Sequence, residues 1–216
     1  MAKSFNGFQA ARVGSLPLAT LACAALALTT IAARADDHSE HEHHHHHAEM
    51  AAGIKQSQAD YRVPALSLTR QDGTAASFPA ELDDGRPVLL NFIYTTCTAI
   101  CPMTTQVFSQ VQGKLGGEGS HLHMISISID PEFDTVAKLS EYAHKYGAGP
   151  QWQFYTGTAA ASIEMQKAFA AYRGDKMNHE AVTFLRPAPG KPWSRIDGMA
   201  TPDELVREYR RLTTKG

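Results

Sequence analysis

Cysteine is scarce in this sequence, with three residues in 216, and three sulfurs cannot build a disulfide scaffold. An excess of charge of either sign is also missing: 20 Lys and Arg stand against 22 Asp and Glu, a formal net charge of −2. Without a basic surplus there is no bulk attraction to nucleic acid, and no nucleic-acid partner is expected. No G-x-G-x-x-G or P-loop pattern occurs and no internal repeat is visible, which argues against the Gly-rich nucleotide sites and against repeat arrays. Hydrophobic residues nonetheless make up 43% and charged ones 19%. That balance buries a core and excludes a wholly disordered chain. The length suits one ordinary domain with a tail, and not comfortably two. Against the few Cys stand eleven His, so the question is whether sulfur and imidazole form one site or several unrelated things.

Residues 1–35 read as an export signal. Lys3 and Arg12 lie in an acid-free start, an apolar run extends from Leu16 to Ala33, and Ala33-Arg34-Ala35 supplies small residues at −3 and −1 of a cleavage site before Asp36. The run of 18 residues is close to the lower limit for a spanning helix, so an uncleaved membrane anchor is the rival reading. Cys23 sits inside this run and is followed by Ala-Ala-Leu-Ala-Leu rather than by a polar chain, which argues against lipidation there. Cleavage removes three bases and no acids, leaving 17 bases against 22 acids. Cys97 and Cys101 then remain, in an exported, periplasmic or otherwise extracytoplasmic chain where disulfides can form.

The stretch His38-Ser-Glu-His41-Glu-His43-His44-His45-His46-His47 holds seven of the eleven His. It follows a natural cleavage site and carries interleaved glutamates, unlike an expression tag. Such a run has nothing to bury, so residues 36–59 are expected to form a disordered, His-rich leader. Dense neutral imidazoles bind Cu(II), Zn or Ni loosely; the alternative is a solvated leader with incidental affinity.

From residue 60 to 216 the pattern is that of one α/β domain. Ala65–Arg70 and Thr74–Phe78 flank Asp72-Gly73 as a hairpin. Val88–Tyr94 is a continuous apolar run, as a central strand covered on both faces requires. Helical spacing follows from Pro102 to Leu115, a strand over His121–Ile129, a helix from Asp134 to Tyr146, a short strand at Trp152–Tyr155 and a helix from Thr158 to Tyr172. Ala181–Leu185 and Trp193–Ile196 flank a Pro/Gly turn as an antiparallel pair, and Thr201-Pro-Asp-Glu204 opens a last helix with a capping box. This order implies a central mixed sheet with helices on both faces.

The chemistry concentrates at Thr95-Thr-Cys97-Thr-Ala-Ile-Cys101-Pro102, at the carboxyl end of the buried strand, where open α/β sheets place their sites. Pro102 disfavours helical geometry for the residue before it, which puts Cys101 at the cap and Cys97 in the loop. Helix N-termini lower thiol pKa. Two such thiols close a disulfide or grip a soft ion such as Cu(I), and cysteines alone do not separate these. Histidine is the arbiter. His121, His123 and His144 read as surface or packed residues. His179, in the loop before Ala181–Leu185, arrives beside the cysteines if that strand neighbours the one ending at Tyr94, and would complete a Cys₂His set.

Cys97-x-x-x-Cys101-Pro102 after an apolar strand, then Ile127-Ser-Ile-Asp130-Pro131-Glu132-x-Asp134-Thr135, Tyr155-Thr-Gly-Thr158 and a single His179 before a strand form a specific succession. It is similar to the Sco/SenC family of copper chaperones for cytochrome c oxidase assembly, over about residues 60–212. The resemblance implies a thioredoxin-like fold with an N-terminal β-hairpin addition, and Cys97, Cys101 and His179 as ligands of one copper ion. It implies a copper-accepting subunit of a respiratory oxidase as partner, and a role for Asp130 and Asp134 in steadying the loop or in copper transfer. An N-cap for the helix at Thr135 is the other reading of Asp134. Asn178 stands where the family usually carries an acid, and the stretch before His179 is shorter than in many members.

The competing reading is a thiol–disulfide oxidoreductase of thioredoxin type. Its C-x-x-C is here C-x-x-x-C, and the position for its cis-proline carries Glu180, with no proline from His179 to Leu185. A peroxidase resemblance, through Thr95-Thr96-Cys97, is weaker, and a copper or redox sensor is a third class. One expectation concerns the leader alone: deleting residues 38–47 lowers the number of Cu(II), Zn or Ni ions bound per chain. An unchanged stoichiometry in a metal titration would end the idea that the leader collects metal.

Overall fold

The structure, a computed structural model, describes residues 53–214. The signal segment with Cys23, and His38, His41 and His43–His47 of the leader, lie outside the described residues. Eight strands form one mixed sheet: β1 (Lys55–Ala59), β2 (Leu66–Arg70), β3 (Ala75–Phe78), β4 (Val88–Ile93), β5 (His123–Ser128), β6 (Trp152–Thr156), β7 (Val182–Arg186) and β8 (Trp193–Asp197). Their spatial order is β1-β8-β7-β4-β5-β6-β2-β3. Four helices accompany them: α1 (Ile100–Leu115), α2 (Val136–Lys145), α3 (Ala159–Ala168) and α4 (Pro202–Thr213).

Period-two alternation along the central strands divides the apolar side chains between two cores. Leu89 and Ile93 of β4, Met124 of β5 and Leu185 of β7 pack with Phe108 and Val111 of α1, Leu139 and Tyr142 of α2 and Leu205 of α4. Val88, Leu90 and Phe92, with Ile125, Ile127 and Phe184, pack on the other face with Met165 of α3 and Phe169. All six residues of β4 are buried, which is why that strand reads as a continuous apolar run rather than an alternating one. The β2–β3 hairpin turns at Gly73, whose φ of +86° suits a residue without a Cβ. It adds to the sheet edge beyond β6.

Three helices open on threonine caps, at Thr135, Thr158 and Thr201, the last a full capping box with Glu204. Several boundaries differ from the sequence pattern: the helix expected to reach Tyr172 ends at Ala168, and the strand expected from His121 begins at His123. The ordered chain begins before residue 60, because Lys55–Ala59 pairs antiparallel with β8 from Lys55↔Asp197 to Ala59↔Trp193. Four of its five side chains are exposed, so an edge strand held by its backbone left no apolar signature. Helix α1 begins at Ile100 rather than Pro102. The first N–H groups of a helix have no partner inside it, so proline in the first turn costs no hydrogen bond.

His123, expected to be a packed or surface residue, is fully buried at the start of β5. Its Nδ1 lies 2.9 Å from Asp84, without the alignment of a hydrogen bond. Burial, helped by Arg86, pulls its pKa below the usual 6.5, against the pull of Asp84 and Glu81. A folded-state pKa below the unfolded one means that the unfolded chain binds the extra proton, so stability is full above pH 6.5 and falls as pH drops through it. The urea midpoint is therefore expected to fall between pH 7.5 and 5.5, and His123→Gln to shrink that fall. An identical fall in the variant would clear His123 of it.

Candidate metal centre

Chain direction sets up the site. β4 runs parallel to β5 and antiparallel to β7. The carboxyl end of β4, which leads into Tyr94–Cys97, therefore lies beside the amino end of β7, which His179 precedes. The condition on which His179 could reach the cysteines, that its strand neighbours β4, is met.

The cysteine arm turns tightly: the Cys97 N–H donates to the Tyr94 carbonyl at 3.2 Å, and α1 starts three residues later. No side chain caps α1 at Ala99. Instead the Cys101 N–H donates to the Cys97 sulfur at 3.4 Å, so the first thiol faces the unpaired amides of the helix start. The two thiols are unequal. Burial opposes ionisation of Cys97, but the Cys101 and Ala99 N–H groups outweigh it and hold its pKa below the ordinary value. Cys101, second residue of the helix and 1% exposed, is pushed well above its ordinary value by burial. The helix N-terminus thus activates Cys97 alone, a correction to the expectation that both thiols are lowered. Burial also pushes the Tyr94 phenol up to about 12, so it remains a hydrogen-bond donor.

The histidine arm is a loop braced at both ends. Arg173 and Glu180 pair at 2.8 Å across it. Asp175 caps a short 3-10 turn, Lys176–Asn178, by accepting from the Met177 N–H. His179 Nε2 lies 3.0 Å from the Phe92 carbonyl oxygen. A carbonyl only accepts, so Nε2 carries the proton and the Nδ1 lone pair is left for a ligand. Burial pulls the His179 pKa below its usual value against that hydrogen bond, which keeps the ring neutral and able to donate a lone pair.

The two loop carboxylates each hold one arm. Asp134 is completely buried and accepts from the Thr95 N–H at 3.2 Å, from the Thr95 hydroxyl and from the Ser128 hydroxyl at 2.6 Å. It is not the cap of α2; that is Thr135, which accepts from the Lys138 N–H at 3.3 Å. Asp130 pairs with Lys176 at 2.5 Å and so ties the acidic loop to the turn that carries His179.

A cavity of about 240 Å³ is lined by Tyr94, Cys97, Ile100, Lys176, Met177 and His179, among others. The structure thus brings Cys97 and His179 to one cavity. Cys101 is buried and does not line it. Among the described residues, no three His, Cys, Asp or Glu side chains already converge as a metal cage. The donors themselves fit a soft ion: two thiols, one activated, and a free imidazole nitrogen. His121 and His144 are exposed and distant in role, and His123 is bound up in the core. Sequence reasoning missed Thr95, Ser128, Lys176 and Met177. Thr95 was detectable as a hydroxyl next to the cysteine loop, but nothing local marks a Lys as the partner of an Asp 46 positions away.

Similarity to known proteins identifies the family. The SCO1/SenC family model matches residues 54–214. The SCO1 protein homolog of Bacillus subtilis is 30% identical over 165 residues, covering 72% of this chain and 84% of that protein. Bradyrhizobium japonicum ScoI with copper bound is 27% identical, with a TM-score of 0.59 over 69% of this chain and 98% of that one. BsSco, a member of the Sco family of cytochrome c oxidase assembly proteins with an identified disulfide switch, is 28% identical, with a TM-score of 0.62 over 74% and 98%. The chain belongs to the SCO1/SenC family and has its thioredoxin-like fold.

The carboxylates are expected to separate in their effects on stability. Asp134→Ala leaves two hydroxyls and an amide unpaired in the interior and is expected to cost about 3 kcal/mol by urea denaturation. Asp130→Ala, which frees an exposed lysine, leaves the midpoint nearly unchanged. Equal losses would mean that Asp134 does not carry the cysteine arm.

Proposed function

We propose that this chain is an exported copper carrier in which Cys97, Cys101 and His179 hold one copper ion and pass it to the binuclear copper site of a respiratory oxidase subunit. The observation that carries this reading is the single cavity shared by Cys97 and His179, delivered by two neighbouring antiparallel strands. Thiolates suit Cu(I), and an imidazole lets the site also tolerate Cu(II). The copper-bound Bradyrhizobium relative and the oxidase-assembly family of BsSco support the same metal and the same class of partner. Asp134 and Asp130 act as positioning residues that hold the two arms. The His-rich leader serves as a loose auxiliary store. Cys101 must lose a proton that burial holds tightly, so copper loading releases protons and weakens as pH falls.

Localisation follows from the N-terminal signal: periplasmic or otherwise extracytoplasmic, with an anchor if the segment stays uncleaved. No helix among the described residues is long and apolar enough to cross a membrane. A copper donor and a thiol reductant are the further partners this role requires. Carrying an ion is not catalysis, and the chain is read as a metallochaperone rather than an enzyme.

The unequal thiols favour one second reading, thiol–disulfide exchange with a partner. The Cys97 thiolate would attack a partner disulfide and release one partner thiol. Cys101 would then attack the mixed disulfide, releasing the second thiol and leaving a Cys97–Cys101 disulfide. That oxidised pair has no thiolate for copper, so the two activities alternate, as the disulfide switch of BsSco also suggests.

Copper titration of the reduced full chain separates the readings. Cys97→Ser, Cys101→Ser and His179→Ala are each expected to cost more in Cu(I) affinity than the roughly 10–100-fold typical of losing an outer partner. The double cysteine variant supplies the background of the leader. Tight binding that survives His179→Ala unchanged would exclude the Cys₂His site, and metal-free reduction of insulin unaffected by that substitution would favour the oxidoreductase.

A further inference from the structure

Met177 is the most exposed large hydrophobic side chain among the described residues, at 74%, against 41% for Met103 and 42% for Phe133. An apolar side chain so placed gains little from burial. It sits in the 3-10 turn two residues before His179 and lines the same cavity as Cys97. Its sulfur lies 3.9 Å from the Tyr94 hydroxyl on the cavity wall. The turn is held from two sides, by Lys176 on Asp130 and by the Asp175 cap, so the sulfur is presented at the cavity mouth.

We propose that the Met177 thioether is a further copper(I) donor, through which the ion enters and leaves the cavity. This rests on the copper reading of the Cys97–Cys101–His179 site. Three sulfurs then grade from solvent to interior, Met177 at 74% exposure, Cys97 at 9% and Cys101 at 1%. A thioether is a soft ligand that suits Cu(I). It carries no proton to lose, so unlike Cys101 it is available at every pH. It also survives oxidation of the cysteines to a disulfide, when thiolates are gone. Being neutral and weak, it holds an ion without retaining it, and its exposure lets it meet a donor or acceptor protein that cannot reach Cys101.

A role confined to packing against Tyr94 is the alternative, and Met177→Leu separates the two because it keeps the apolar bulk and removes the sulfur. The experiment uses the reduced full chain with selenomethionine in place of methionine, loaded with one equivalent of Cu(I). Selenium K-edge absorption is expected to show a copper neighbour that is absent in Met177→Leu. With ordinary methionine in both chains, transfer of Cu(I) to bicinchoninate is expected to be slower from Met177→Leu than from the unsubstituted chain, by about tenfold if loss of the donor acts as strongly as loss of an outer partner does on metal-site activity. A selenium spectrum without copper, or one unchanged by the substitution, overturns the proposal. If copper binding still depends on Cys97, Cys101 and His179, that failure leaves the site reading intact. Binding that is indifferent to those three residues overturns both.

Discussion

The antiparallel pairing of β7 with β4 is the constraint on which the site depends. Had β7 run parallel to β4, the loop before it would have emerged at the opposite end of the sheet, more than a strand length from the cysteines. The reversal is compatible with the parallel β4–β5–β6 half because the chain reaches β7 from α3 and then turns back directly into β8. Two cores, one on each face, fix the strands in register, since a slip of one residue would exchange Leu185 and Phe184 between them. The position of a half-buried imidazole is thus set by packing far from it.

Given that frame, the remaining problem is to hold two loops without filling the space between them. Apolar packing would close the cavity. The structure uses carboxylates instead, one beneath each arm. Asp134 is wholly buried and receives hydrogen bonds from Thr95 and Ser128, so its charge is compensated locally and its geometry is rigid. Asp130 reaches an exposed lysine, a contact that solvent weakens and that can open. The cysteine arm is therefore held by a buried carboxylate and the histidine arm by a more exposed ion pair.

Much of this was legible in the sequence, and for definite reasons. β4 announced itself because burial on both faces leaves an uninterrupted apolar run, and α4 because a capping box is a local pattern. Cys97, Cys101 and His179 stood out through spacing and through the resemblance that the family match bears out. What escaped was held by long-range polar contacts. β1 is an exposed edge strand held by its backbone ladder and by the Gln56 amide donating to the Ser194 hydroxyl. Asp134 reads locally as a cap, and only the folded chain reveals that Thr135 takes that place while Asp134 turns inward to Thr95. The inequality of the thiols was hidden as well, because dipole and burial oppose each other and their balance depends on depth in the fold.

That inequality bears on how one segment can serve both metal and redox chemistry. Cys97 and Cys101 enclose only three residues, too short a loop for a disulfide to contribute much by restricting the unfolded chain. The Cys101 amide already holds the Cys97 sulfur over the start of α1. On the proposed function, the reduced pair offers two sulfurs to copper, and oxidation withdraws both by removing two electrons and two protons. The same burial that raises the Cys101 pKa makes that thiol a slow partner for external oxidants, since the thiolate is the reactive form. Attack on a partner disulfide then has to begin at the more exposed Cys97. On the proposed function the order of exchange is in this way set by depth: attack at Cys97, then resolution by the buried Cys101.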